Sequence, residues 1–359
     1  MNLIVAAPAF IRTPGAAIAI CAALSTAFVT AAAQSTDPAQ FVHTYLTTNS
    51  FSAADVSRLE AGDVVSQVDA GRSTETEVLV VAAVKIRVPR AQVVSYYGQM
   101  ISFVDGKVTT AFGRFSSPPA PADVSELAFD RDEIESLKSC RPGACDIRVS
   151  GTGLDAMRST VDWGASDYAE RANAFARKAA IDYVAAYRAR GDAALVTYND
   201  RAEPVALREQ WQGLVDNSPI LQEYAPELKA YLVRYPEASL PGARDILYWV
   251  RENYGPAAII AIVHGVVYEP PSHPDRTMVV QKQLYASHYL DGSLAVATLV
   301  DGQEGGRPIT YLLYANRSRG DLLKGGFGGL KRNVARSQAR KAATETLGTI
   351  KQMLESQPR

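Results

Sequence analysis

Along the chain the hydrophobic and polar positions change period several times, and each change marks an element. Val78, Val80, Ala82, Val84, Ile86 and Val88 alternate with Leu79, Val81, Ala83, Lys85 and Arg87, a two-residue period that predicts a strand. Pro89 stops it, and Val93, Val94, Tyr97, Met100, Ile101 and Val104 then recur at helical spacing. A Pro- and Ser-rich connector, Ser116–Pro121, leads to a short helix capped by Asp132, and residues 146–151 read as a short strand. From about 153 to 255 the pattern is helical. One helix begins at Ser166-Asp167, carries Tyr168, Ala172, Phe175, Ala179, Tyr183 and Tyr187 on one face and ends at Gly191. A second is marked by Leu221, Tyr224, Leu228, Tyr231 and Leu232, and a third by Ile246, Leu247, Trp249 and Val250. Strands return at 258–268, 277–290, 293–300 and 309–316; their short connections make neighbours antiparallel, and Asp291-Gly292 predicts a hairpin turn. Gly325–Gly329 opens a final helix with Leu330, Val334, Ala335, Ala339, Ala343, Leu347, Ile350 and Leu354 along one stripe.

The first residues change the picture of where this α+β chain works. Arg12 precedes an apolar stretch from Gly15 to Val29, followed by Ala31-Ala32-Ala33, the pattern of a cleavable export signal. That stretch is shorter than the ~20 residues that span a bilayer. The expectation is a periplasmic or secreted bacterial protein, processed near Ala33, with a polar lead over 34–60 and a short helix at most after Ser52. Loss of Met1–Ala33 leaves 36 basic against 38 acidic residues, a near-neutral balance that argues against a nucleic-acid partner. Cys140 and Cys145, bracketing a Pro-Gly turn, are expected to form a disulfide in an oxidising compartment.

The order of parts resembles the helix-grip fold of START lipid-transfer proteins and polyketide cyclases. Ile86–Val94 is similar to that group's opening strand-to-helix step, and Gly325–Leu354 to its gripping helix. The resemblance implies a curved antiparallel sheet gripped by the long C-terminal helix, within a domain over 61–359, and makes 153–255 a helical insertion. It also implies a cavity between sheet and helix for a hydrophobic, lipid-like or polyketide-like ligand. The strings at 282–289 and 316–332 are in addition similar to those of exported bacterial proteins with no assigned activity.

Strand periodicity puts Ile260, Ile262, His264, Val266 and Tyr268 on one face, and Leu284, Ala286, His288 and Leu290 on another. His264, His288, Tyr268, Leu284 and Ile262, with Phe327 in the glycine-rich run, are therefore the expected ligand-binding residues of an apolar pocket holding a few polar groups. No cofactor or metal is expected, because the four histidines lack metal-ligand spacing and no nucleophile elbow or phosphate-binding loop occurs. Two other readings stay open at this point: an enzyme using His264 or His288 as acid or base, and a structural envelope protein with a filled core. The basic residues Lys331, Arg332, Arg336, Arg340 and Lys341 on the last helix add a peripheral contact with anionic membrane to the partner readings.

Overall fold

In the computed structural model the described residues are 37–68, 77–100, 108–253, 257–320 and 328–356, without the side chains of 97–100 and 328–332. The export-signal segment, Gly325, Gly326 and Phe327 lie outside them. Eight strands make one antiparallel sheet: β1 (Val65–Val68), β2 (Glu77–Ile86), β3 (Thr109–Arg114), β6 (Ala243–Glu252), β7 (Ile259–Tyr268), β8 (Arg276–Ala286), β9 (Leu290–Glu304) and β10 (Arg307–Gly320). Their order is β1-β2-β10-β9-β8-β7-β6-β3, and two short strands, β4 (Thr197–Tyr198) and β5 (Val205–Ala206), pair separately. The α+β class and long C-terminal helix predicted by the patterning, with the curved antiparallel sheet that the resemblance implied, are the architecture observed.

Strict alternation on β2 sorts its side chains into two cores. Val78, Val80, Ala82, Val84 and Ile86 meet α3 (Arg90–Met100) and α10 (Gly328–Glu355), packing with Val93, Tyr96, Ala343, Leu347, Ile350 and Leu354. Leu79, Val81 and Ala83 point the other way, into a core shared with α1 (Pro38–Thr48), α7 (Leu207–Asp216), α8 (Pro219–Glu223) and α9 (Pro226–Arg234). On that same side, α4 (Arg131–Ser139), α5 (Gly151–Thr160) and α6 (Tyr168–Arg190) pack on Leu247, Trp249, Ile260, Ile262 and Leu284. The sheet therefore lies between the gripping helix and an outer helical layer. Every residue of β2 and β7 is buried, which explains why both read as near-continuous apolar runs.

Several local expectations are corrected. The lead is not merely polar: Asp37 caps α1 ahead of Pro38, and Phe41, Val42, Tyr45 and Leu46 enter the core as i, i+4 pairs. A second helix, α2 (Ala53–Ala61), follows with a Ser52–Asp55 capping box. The stretch around Ile246–Val250 is β6, since its consecutive apolar residues serve both faces of a covered sheet. The helical segment accordingly runs between β3 and β6, not over 153–255, and its cap is Asp130 rather than Asp132. Residues 146–151 form no strand; Ser150 instead caps α5. Asp291-Gly292 lies inside β9, and the chain turns over Ser287–Tyr289, where Tyr289 takes a left-handed φ of 59°. A methyl on Gly292 would meet Gln210 Cβ at 3.2 Å and Leu214 Cδ1 at 3.3 Å, so this glycine serves close helix packing instead of a turn.

Because α1 supplies four buried side chains to the sheet's outer core, Leu46→Ala is expected to lower the unfolding free energy by about 2–5 kcal/mol. Urea denaturation checks this; an unchanged midpoint would mean that α1 is not docked.

Candidate functional site

The predicted pocket residues divide between locations. His264, Tyr268, Ile262 and Leu284 face the outer helical layer, on the opposite side of the sheet from α10, and so do not share a cavity with it. Alternation gave the correct partners on β7 but not which layer they meet. His264 is fully buried. Its Nε2 lies 2.7 Å from Asp245 Oδ1 and its Nδ1 2.9 Å from the Tyr187 hydroxyl. A carboxylate only accepts, so Nε2 carries the proton and Nδ1 accepts from Tyr187. Burial holds the imidazole below its ordinary pKa against the opposing pull of Asp245. Burial also works to raise the Asp245 carboxyl, but hydrogen bonds from His264 and Tyr231 overcome it and keep it low. Beside this chain, Lys282 pairs with Asp192 and sits 4.1 Å from the Trp211 ring; burial pushes its ammonium down to about 8. Tyr268 donates to Glu227 Oε1 at 3.0 Å. The cluster ties α6, α7 and α9 to the sheet, and both histidine nitrogens are used in doing so.

His288 lies at the β8–β9 turn, away from His264 in the fold. Its Nδ1 is 3.1 Å from the Asp146 carbonyl oxygen and its Nε2 3.2 Å from Glu133 Oε1. Glu133 also accepts from Arg251 at 3.2 Å, while buried Arg148 donates to Asp291 at 2.6 Å. Cys140 and Cys145, at the end of α4, form a disulfide, as expected of an extracytoplasmic location. Among the described residues no three His, Cys, Asp or Glu side chains converge as a metal site.

The outer layer is closely packed over the sheet. A void of about 30 Å³ between α1, α8 and β9, lined by Tyr45, Asn49, Ile220 and Leu294, has room for roughly one water. The α10 side differs. Glu252 on β6 acts electrostatically on the Tyr314 phenol of β10 from four strand steps away. Four strand steps across a flat sheet span about 19 Å, and an influence of Glu252 at Tyr314 accords with a sheet curved toward the α10 side.

Two apolar clusters flank the middle of the concave face. At one end stand the β2, α3 and α10 residues. At the other, Tyr248, Val250, Ile259, Ala261, Val263 and Ala286 form a cluster drawn, among the described residues, from β6, β7 and β8 with Phe112, Tyr289 and Leu290 packed against it. Between them Gln281, Ser293, Ala297, Tyr314, Asn316 and Ser318 are only half-buried. Small side chains lie alongside: Ala295 pairs with Gln281 and Asn316, and Gly265 with Gln281 and Ile246. Gln281 donates to the Tyr248 hydroxyl at 3.0 Å, Asn316 to Ser293 at 3.3 Å, and Ser318 to Asn316 at 2.5 Å. Tyr314 is ringed closely enough that burial pushes its phenol up to about 12, yet part of its side chain meets solvent. These residues form a half-buried polar strip between the two apolar clusters. The sequence signal was the polar series Tyr314, Asn316, Ser318 at period two, set against Ser293, Ala295 and Ala297 on the next strand. The chain matches no protein-family model and no curated protein.

The depressed His264 pKa fixes a sign. Its contribution to stability is fully present above the unfolded histidine value near 6.5 and is lost as the pH falls through the lower folded value. His264→Gln is expected to be less stable at neutral pH by roughly 1–3 kcal/mol, and to show a shallower decline than wild type between about pH 7 and 5. Parallel declines in chemical denaturation series would remove His264 as the titrating group.

Proposed function

We propose that this chain is a binder or carrier of a hydrophobic, lipid-like or polyketide-like small molecule, held in the concave groove between α10 and β6–β8. The carrying observation is the half-buried strip of Gln281, Ala297, Tyr314 and Asn316 between two sealed apolar clusters. Apolar walls with a few convergent polar groups are the usual make-up of a small-molecule site. The resemblance to START-like proteins supports the same cavity, with one amendment: the lining comes from Tyr248, Val263 and Gly265, the alternate set to His264 and Ile262 on the same pair of strands. The disulfide supports work outside the cytoplasm, periplasmic or secreted after processing near Ala33. Exposed Arg340, Lys341 and Val334 on α10 support a peripheral contact with anionic membrane, where such a ligand would be collected.

An acid/base role for His264 or His288 has less support. Each ring nitrogen has a protein partner, and His264 has no solvent-facing surface from which to reach a substrate. The structural-protein reading predicts a groove that takes up nothing.

Ala297 sits at the centre of the strip, between Val279 and Tyr314 in register. Native mass spectrometry of protein purified from its own cells is expected to show a bound small molecule. Ala297→Trp is expected to weaken binding of the apolar reporter N-phenylnaphthylamine at least tenfold while leaving the circular dichroism spectrum unchanged. A bare polypeptide mass together with no reporter binding by wild type would end the carrier reading.

A further inference from the structure

The Cys140–Cys145 bond joins two cysteines of unequal exposure. Cys140 ends α4, is 2 % exposed and belongs to the core beneath α4, α5 and α6. Cys145 is half-buried, between the exposed residues Ala144 and Asp146. Both line a cleft of about 510 Å³, open to solvent, whose walls carry Ser136, Ser139, Gly143, Asp146, Asp200 and Arg201. Its volume lies in the range of small-molecule sites. A thiol entering the cleft therefore meets Cys145 before Cys140, and thiol–disulfide exchange depends on which sulfur can be reached.

The bond does little for the chain as a whole. A loop closed over a sequence separation of 5 removes little entropy from the unfolded state. What it fixes is local. Gly143 donates its amide to the Asn199 carbonyl at 2.8 Å and Cys145 to that of Asp200 at 2.9 Å, while Asn199 donates back to Val149 at 2.7 Å. The residues just after Cys145 grasp the β8–β9 turn. Arg148 donates its amide to the Ser287 carbonyl at 2.8 Å, its guanidinium reaches Asp291 at 2.6 Å and Asp200 at 3.7 Å, and His288 Nδ1 lies 3.1 Å from the Asp146 carbonyl oxygen. Tyr289 and Leu290 of the same stretch pack against the strand cluster on the α10 side. The closed loop thus stands at one end of a continuous run of contacts and the β8–β9 turn at the other.

We propose that this bond is a thiol-exchange site for a small dithiol, with Cys145 the attacked sulfur and Cys140 the buried resolving thiol, and that its opening loosens the grip on the β8–β9 turn. A thiolate of the dithiol forms a bond to Cys145 Sγ as the Cys140–Cys145 bond breaks; Cys140 leaves with the electron pair and takes a proton from water. The second thiolate of the dithiol then displaces Cys145, which is protonated in turn. The reagent ends as a disulfide and the protein, two electrons and two protons richer, as a dithiol. A monothiol halts at a mixed disulfide on Cys145, which Cys140 reverses. None of these steps requires a ligand on the concave face.

Wild-type protein in native buffer is treated with glutathione, quenched in acid and mapped by peptide mass, and in parallel reduced with dithiothreitol and followed by hydrogen exchange. The glutathione adduct is expected on Cys145. Reduction is expected to speed exchange at the amides of Cys145, Arg148 and Leu290 at least tenfold while those of β2 stay protected. Cys145→Ser is expected to reproduce the faster exchange without any reductant. An adduct on Cys140, a bond that dithiothreitol opens only after denaturation, or unchanged exchange at Arg148 and Leu290 in the reduced protein would each overturn the proposal. Loss of protection in β2 as well would overturn it too, since the bond would then hold the whole fold and not one turn.

Discussion

Almost every side chain on the central strands must find a place inside the protein, because something covers the sheet on each side. On β2, β7 and β8 this leaves few positions where a polar residue can simply face water, so those that occur are tied off in pairs. Lys282 meets Asp192, His264 meets Asp245 and Tyr187, and Arg317 meets the fully buried Glu77. Lys85, at the end of β2, reaches Glu304 at 2.7 Å. Buried pairs of this kind add little net stability over an apolar core, but losing one partner strands the other. They act as registration pins, joining a strand to a particular helix, to its neighbour or, for Lys85, across β10 to the end of β9.

The same two-sidedness decided what could be read from residues alone. Where one face of an element was apolar, the period was plain, as in the stripe of α6 that buries Ala172 and Tyr187 and ends at Gly191, or the alanine-rich stripe of α10. On β6, where apolar residues of the two faces run together, the helical and strand periods could not be told apart. Ile246–Val250 looked like a helix because the residues for the concave face and for the outer layer are interleaved without a gap. At α1, four buried residues among threonines and a histidine gave a stripe too short to stand out. The turn after β8 was misplaced because Asp291-Gly292 has the composition of a hairpin loop, while Asp291 is in fact held by Arg148 and Gly292 by the proximity of α7.

For the site, alternation correctly sorted β7 into two sets but could not say which would meet the closing helix. That depends on long-range pairing, since the α10 side of β7 follows from its connection through β8, β9 and β10 to β2. Histidines attracted notice as rare, reactive residues. They are used as fasteners, and the half-buried strip on the α10 side is made of alanines, serines, amides and a tyrosine. The two sides of the sheet are covered differently: helices of the outer layer pack along one, and α3 and α10 meet the β2 end of the other.

Gly292 shows how firmly the outer layer is attached. With α7 lying so near β9 that a single methyl would strike Gln210 and Leu214, the helices between β3 and β6 have been fitted to the sheet rather than appended to it. A minimal version of this protein, cut back to strands and gripping helix, would present Trp249, Ile262, Val280 and Leu284 to water beside an orphaned lysine. Such a fragment would be prone to aggregate, so the outer helical layer is what shields that side of the sheet from water.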